Sequence, residues 1–496
     1  MTSKNTTVTL EEKTRRSLKW STASNLLSKI IMPITNLILA RLLAKEIFGI
    51  VASINIIISL AEIFADSGLS KYIVQADFQD EKQFDLHKSV SFWTNAVISI
   101  VMLFAAVVFR NPLSEFVGSP GYGLALAIAA IQIPIYGFSS ISTALLRRNF
   151  EFKKLFFVRM LGVVVTLAVS VGLALGGFEH WSLIIGSLMS ITAQTIVLFI
   201  LSKFKIKFAF SFKVLKEIFS FGIFSFLESI LTWVASSVIL IFINVKLGND
   251  VSGIYKMSGS TLNGIFNVFS AIFITVLFSN LSRQKDNKEN FDETFFRFQG
   301  SAAYIIIPSV IGIVLFGSLV VNIFLGPNWT ETEAIIGVHA INTGLMIILR
   351  TFPTTYFAAM GKPRKSVITQ IIWLAFYIPL SYFAVQLGLQ SYIYISFFLF
   401  LILYVVTYIF FKVSYKISLR KTILLLVKPI LVSIPMIIIS VLSLITYRGL
   451  YFQIGVIFAS IITYFATFYL ICPKDFKIFI SLFFVRKNKN KTNISE

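Results

Sequence analysis

The sequence predicts an all-α, polytopic membrane protein, and three observations carry that expectation. Of 496 residues, 56% are hydrophobic and only 14% are charged, against roughly 25% charged in an ordinary soluble chain. About fourteen apolar stretches, each near the twenty residues that a spanning helix needs, follow one another almost without interruption. The breaks between them alternate between crowded and nearly empty in Lys and Arg, which is how positive charge sorts across a membrane. Mean hydropathy is +0.83, so the solvent that covers this surface is a bilayer.

Taken in order, the chain begins with a polar segment, residues 1–17. Its neighbourhood, MTSKNTTVTLEEKTRRSLK, has no short apolar core and no small-residue cleavage site, so no cleavable signal is expected. Spans are expected near 18–40, 46–66, 89–109, 122–144, 156–176 and 180–202, and then near 217–243, 251–280, 298–325, 332–357, 366–387 and 391–411. Two more follow near 424–446 and 450–472, with a basic tail at 474–496. No stretch between spans is long enough for a separate soluble domain. The connectors GFEH (177–180), QLGLQS (386–391) and YRGL (447–450) are very short.

With the amino terminus placed in the cytoplasm, the outer connectors hold only Arg41, Lys45, Arg110, Lys246 and Arg448. Lys29, Lys256 and Arg350 fall within spans, and the rest of the 44 Lys and Arg lie on the inner side. That asymmetry implies an even number of spans with both termini inside. The formal net charge of +21 is therefore mostly topology, and anionic lipid head groups rather than nucleic acid are its expected partner. The single Cys472 excludes an internal disulfide framework and a multi-cysteine metal site.

One connector is written twice. ARLLAKEIFGIVA (40–52) matches NVKLGNDVSGIYK (244–256): Leu43 with Leu247, Glu46 with Asp250, Gly49 with Gly253, Ile50 with Ile254. FVGSP (116–120) after the third span pairs with FLGPN (324–328) after the ninth, and ALLRRNFEFKKL (144–155) with AAMGKPRKS (358–366). Two six-helix copies are expected, 18–211 and 212–412, with 413–473 as two appended spans. An even number of spans per copy makes the repeats parallel, with a cleft where the lobes meet. Glu46 and Asp250 should begin the following helices, and Gly49 and Gly253 should let those helices pack closely.

The first two spans of each copy carry polar stripes at steps of three and four. Span one shows Ser21, Asn25, Lys29 and Asn36. Span two shows Asn55, Ser59, Glu62 and Asp66, and span seven shows Ser225, Glu228, Thr232 and Ser236. Span eight shows Lys256, Ser260, Asn263 and Asn267. Serines and asparagines on such stripes serve equally as glue between helices. Charges at mid-bilayer cost from about 2.5 to above 10 kcal/mol, so they mark cavities or partners. Lys29 and Glu228 are central in their helices. Lys256 lies near an outer end where snorkelling competes, and Glu62 and Asp66 lie near an inner end where a gate competes with plain solvation. Span ten adds His339 and Arg350 on one face. An Arg fork suits phosphate oxygens, and His339 is either a titrating group or a hydrogen-bonded core residue. Trp233 and Tyr255 offer faces for sugars.

No GxxxxGK[ST] loop, HExxH, GxSxG or Cys/His cluster is present, so neither nucleotide drive nor enzymatic catalysis is expected, and no cofactor or metal.

The stretches LLAKEIFGIVA (42–52), DSGLSKYIVQ (66–75) and ALLRRNFEFKKLFFVR (144–159), with the six-plus-six-plus-two plan, resemble the polysaccharide-exporter (Wzx-like) flippases of the multidrug/oligosaccharidyl-lipid/polysaccharide superfamily. The resemblance covers the whole chain. It implies translocation of an undecaprenyl-pyrophosphate-linked oligosaccharide across a bacterial cytoplasmic membrane by alternating access. Glycan polymerase and glycosyltransferases would be its working partners. Lys29, Lys256, Arg350, Asn25, Asn36, Asn263, Asn267 and Trp233 are then candidates for the substrate cavity. Glu228, Glu62, Asp66 and His339 are candidates for H⁺ or Na⁺ coupling or for a gate. The alternatives are a cation-coupled multidrug exporter, in whose cavity acids should predominate, and a membrane polysaccharide polymerase, which should have a large outer loop.

Overall fold

The computed structural model describes residues 35–66, 68–282, 284, 287–360, 364–446 and 449–483. Helices fill this length, and no strand occurs among the described residues. Residues 35–42 form α1. After it come α2 (Lys45–Asp66), the short α3 (Leu69–Gln75), α4 (Glu81–Val108), α5 (Arg110–Phe116), α6 (Gly123–Ala129), α7 (Gln132–Arg148), α8 (Phe152–Leu175) and α9 (Glu179–Ser202). Two long helices follow, α10 (Phe212–Leu247) and α11 (Asn249–Ser282), then α12 (Lys288–Leu315), α13 (Gly317–Phe324) and α14 (Thr330–Met346). The chain ends with α15 (Phe352–Ala359), α16 (Arg364–Gln386), α17 (Leu389–Tyr415), α18 (Leu419–Val432), α19 (Ile434–Thr446), α20 (Leu450–Ile471) and α21 (Pro473–Phe483).

Eleven stretches among the described residues are long and apolar enough to cross a membrane, and α18 with α19, bent by 42°, makes a twelfth. Fourteen were expected. The span expected at 18–40 lies largely outside the described residues, and the one expected at 251–280 is the single 34-residue helix α11. At about 1.5 Å per residue, α10 and α11 are longer than a hydrocarbon core near 30 Å, so their ends extend beyond it.

Local signals set many boundaries. Asp80 caps α4 by accepting from the Gln83 amide at 2.6 Å, and Asn287 caps α12 through the Asn290 amide at 3.1 Å. Glu46 and Asp250 stand in the first turns of α2 and α11, as expected, against the positive helix end. Between α10 and α11 the chain reverses through Gly248 at φ 91°, a conformation that side chains resist. Pro353 follows a π-helical turn, Ile347–Thr351, which holds Arg350.

The chain forms two compact units. One runs to Ala271 and takes in Val320–Ile335 and Val367–Leu403. The other comprises Ile272–Leu319, Ile336–Ser366 and the chain from Tyr404. In the first, α2 buries Ile50, Ile54, Ile58 and Ala61 against Leu126, Ala130 and Ile133. These residues recur every three to four positions and leave the polar stripe of α2 on another face. In the second, Gln299 donates to the Ile348 carbonyl and to the Tyr408 hydroxyl, each at 2.8 Å. Tyr356 donates to Asp292 at 2.7 Å amid the rings of Phe291, Phe295 and Phe411.

Candidate functional site

A cavity of about 640 Å³ opens within the first unit between α2, α10 and α11. Three of the expected stripes meet there. The polar face of α2 supplies Asn55 and Ser59, α10 supplies Glu228, Thr232 and Ser236, and α11 supplies Lys256. A single helical period explains each set, since residues three, four, seven or eight apart share a face. Trp233 forms part of the wall. Its indole nitrogen donates to the Ile56 carbonyl and to Ser59 Oγ, both at 3.1 Å, which fixes the ring against α2. Thr232 and Ser236 donate their hydroxyls back to α10 carbonyls at 2.9 and 3.1 Å, so their oxygens remain acceptors toward the cavity.

A second cavity, about 260 Å³, shares Ser59, Ile63, Lys71 and Ser229 with the first and adds Glu62, Asp66 and Tyr136. Asp66 accepts from the amide of Ser70, at 3.3 Å, and from its hydroxyl, which ties the end of α2 to α3. Glu62, Lys71, Glu228 and Lys256 make no ion pair among the described residues. Together the two spaces form one polar recess carrying both signs of charge. At roughly 30 Å³ per water, the larger space alone holds about twenty waters, and its size lies in the ordinary range for ligand sites.

At the Lys45 end the recess is sealed by buried polar bonds and by backbone contact. One turn beyond the cavity wall, the Asn244 amide donates to Ser53 Oγ at 2.7 Å, the Val117 carbonyl at 2.6 Å and Ser119 Oγ at 3.2 Å. Its oxygen accepts from Ser252 at 2.7 Å. A β-carbon on Gly49 would stand 1.9 Å from the Asn249 carbonyl oxygen, and one on Gly253 would stand 2.1 Å from that of Lys45. The pairs are reciprocal, because one offset relates Gly49 to Gly253 and Lys45 to Asn249. The paired loops behave likewise. Gly118 of FVGSP packs on the backbone of Val245, and Gly326 of FLGPN packs on Arg41. Trp329 donates to the Ala40 carbonyl at 2.9 Å, and Lys45 pairs with Glu331 at 2.6 Å.

The remaining candidates sit elsewhere. Lys29 and Asn25 lie outside the described residues. Asn36 donates to Ser260 at 2.9 Å, a bond between helices. Asn263 is exposed and Asn267 half-buried, farther along α11 than Lys256. His339 and Arg350 belong to the second unit and are not among the residues lining the recess. Lys71 and Tyr136 are lining residues that the sequence pattern did not single out. Lys71 reads as one more inner-side cation, and only the fold of DSGLSKYIVQ into the short α3 turns it toward the acids of α2. Among the described residues no group of His, Cys, Asp and Glu is suited to a metal ion.

A family described as polysaccharide biosynthesis protein matches residues 38–334. The succinoglycan biosynthesis transport protein ExoT of Rhizobium meliloti (strain 1021) is 24% identical over 359 residues, covering 72% of this chain and 71% of the relative. Among solved structures, the lipid II flippase MurJ in an inward closed conformation superposes with a TM-score of 0.76 at 14% identity, over 91% of this chain and 98% of that one. An inward-facing MATE family multidrug transporter of the MOP superfamily superposes with a TM-score of 0.59 at 15% identity, over 79% and 94%. The fold is therefore that of the MOP-superfamily transporters.

Proposed function

This chain belongs to the polysaccharide biosynthesis protein family, and on that premise we propose that it is the flippase that carries undecaprenyl-pyrophosphate-linked oligosaccharide units from the inner to the outer leaflet of a bacterial cytoplasmic membrane. The observation that carries the proposal is the recess of mixed charge enclosed by α2, α10 and α11. A pyrophosphate with a hydrated glycan cannot cross hydrocarbon unaided, because its charge and hydroxyls would lose water without replacement. Lys256 and Lys71 offer the charge, while Asn55, Ser59, Thr232 and Ser236 offer the hydrogen bonds. On the orientation set by the basic loops, the sealed Lys45 end faces outward and the Lys71 end inward. The reading supposes alternating access, in which the outer seal opens as the inner end closes. Lys29, Arg350 and the asparagines of α11 remain candidates for further contacts in the same cycle.

Protein levels and glycan export should be measured together in a mutant lacking its own exporter. The unchanged chain should restore export, and Lys71→Ala with Lys256→Ala should not. Full export by the double variant at normal protein level would refute the pyrophosphate role.

A second reading is a cation-coupled exporter of amphiphilic cations. The recess as a whole favours it, since Glu62, Asp66 and Glu228 outnumber Lys71 and Lys256 along its lining. Uptake of a quaternary ammonium dye by inverted vesicles, with no restoration of glycan export, would select it. Under either reading Glu62, Asp66 and Glu228 are the groups available to exchange H⁺ or Na⁺, with His339 a further candidate, and the membrane potential supplies about 2.3 kcal/mol per charge per 100 mV.

A further inference from the structure

An apolar groove opens off the recess. One part, about 440 Å³, lies between α4 and α10 and is lined by Phe64, Val97, Ile98, Val101, Ile223 and Phe226 among others. A second part, about 310 Å³, shares Val97 and Ile98 and reaches Phe208 and Phe210 in the segment before α10. Phe226 lines both the groove and the smaller polar cavity with Glu62, Asp66 and Lys71. At that junction the rings of Phe64 and Phe226 meet edge to face, with centroids 5.2 Å apart. Val97 and Val101 are 59% and 57% exposed, so the groove is open along its side, as a slot filled from the bilayer would be.

We propose that this groove holds the polyisoprenoid chain of the lipid-linked substrate while its charged head group occupies the recess. The proposal rests on the flippase reading and adds the route of the tail. Its ground is continuity: a charged cavity and a carbon-lined slot share one residue as their common wall. A molecule with an anionic head and one long apolar chain places each end in matching surroundings at once. A soluble sugar diphosphate fills only the recess, and a bulk phospholipid has no reason to seek the slot over the rest of the apolar surface. The far end of the groove adds a second ground. The segment bearing Phe208 and Phe210 is held to α4 by Trp93, whose indole donates to the Lys207 carbonyl at 3.0 Å. That segment and the start of α10 carry Lys203, Lys205, Lys207, Lys213 and Lys216. Clustered lysines beside a membrane attract anionic lipid, so the groove begins where such a lipid is concentrated. The Phe64–Phe226 contact then stands where the chain passes from slot to recess.

The test uses the full chain in phosphatidylethanolamine and phosphatidylglycerol vesicles containing a trace of labelled undecaprenyl phosphate. A benzophenone amino acid is placed at Val97 or Ile223 in the groove, or at Phe104, which is exposed on the same α4 but does not line the groove. After irradiation, polyprenyl adducts at Val97 and Ile223 should exceed those at Phe104 by about tenfold. Equal yields at all three, or phospholipid adducts in proportion to abundance, would overturn the proposal. As a second measurement, Ile98→Trp with Val101→Trp fills the groove and should lower both the Ile223 adduct and glycan export at unchanged protein level. Normal values of both would also overturn it. If the unchanged chain fails to restore glycan export yet Val97 captures polyprenyl, the flippase reading falls and the groove stands. If export is restored and no enrichment is seen, the groove falls and the flippase reading stands.

Discussion

Gly49 and Asn249 approach so closely that a methyl group on the glycine would lie 1.9 Å from the asparagine carbonyl oxygen, and Gly253 meets Lys45 in the same way. Neither obstacle is a side chain that can swing aside. Gly49→Ala or Gly253→Ala must therefore push two helix ends apart, at about 1–3 kcal/mol each. The contrast is Gly172 or Gly455, both within helices, where a β-carbon would meet nothing within 4 Å. Ala there should be neutral or stabilising by about 0.5–1 kcal/mol. Thermal unfolding in detergent should lower the midpoint for the first pair and leave or raise it for the second.

Asn244 closes the same end by a different means. It is 2% exposed, and its side chain bonds Ser53, Ser119, Ser252 and the Val117 carbonyl. Replacing it by Leu, of similar size, strands these groups at about 1–3 kcal/mol for each one that finds no water. Asn244→Leu is expected to unfold at lower temperature than Asn244→Ala, because Ala leaves room for water to bridge the serines. The reverse order in thermal unfolding would show that volume, not hydrogen bonding, governs this site.

The Lys45–Glu331 pair, by contrast, is a weak fastener. The Glu331 side chain is 56% exposed, and exposed pairs contribute about 0–1 kcal/mol. A double-mutant cycle with Lys45→Ala and Glu331→Ala should yield a coupling below about 1 kcal/mol that shrinks further in high salt. A larger, salt-insensitive value would show that the pair is more shielded from water than the exposure of Glu331 implies.

Arg148 belongs to the stretch ALLRRNFEFKKLFFVR, and its task is structural. Its guanidinium donates to the carbonyls of Ile73 at 2.9 Å, Val74 at 3.4 Å and Ala76 at 2.7 Å, where α3 ends. It also lies over the rings of Phe78 and Phe84. All three bonds come from one nitrogen, Nη1, which a Lys ammonium could imitate, but Lys has no guanidinium plane to lay over the two rings. Arg148→Lys should cost about 0.5–2 kcal/mol, the range for a cation–π contact. Arg147→Lys on the exposed neighbouring position should cost nothing measurable. Unfolding midpoints of the two variants decide this.

Why some of this was legible in the sequence and some was not follows from the length scale of each signal. Spans and polar stripes are periodic along one helix, so Asn55, Ser59, Glu228, Thr232, Ser236 and Lys256 were recognisable before any fold was known. The doubled connector was legible too, because LAKEIFGI and LGNDVSGI preserve the two glycines that meet the opposite backbones. Lys71 was not, since nothing local distinguishes it from other inner lysines; its place depends on how α3 packs against α7 and α10. The same holds for Phe226, whose position between slot and recess is set by the packing of α2 and α4 against α10. Asn36 shows the opposite case: its stripe was visible, but only the structure shows that its amide is spent on Ser260.

Glu228 and Lys256 allow binding to be separated from drive. Both side chains are exposed and line the larger cavity. If Lys256 meets a phosphate, Lys256→Met removes a charge-assisted hydrogen bond of about 1.5–3 kcal/mol, which is roughly a ten- to 150-fold loss of affinity. Lys256→Arg should keep most of it, because guanidinium also serves phosphate. Glu228 carries the wrong sign for that contact, so Glu228→Gln should bind undecaprenyl phosphate as well as the unchanged chain, or better. What Gln cannot do is gain and lose a proton. If Glu228 couples transport to a proton gradient, export by Glu228→Gln should be slow and should no longer respond to collapsing that gradient, whereas Lys256→Met should be slow and still respond. Export in inverted vesicles, with and without a protonophore, together with binding of labelled undecaprenyl phosphate, reads both quantities. Equal protonophore sensitivity in the two variants would remove Glu228 from the coupling path and leave Glu62 and Asp66 as the remaining acids of the recess.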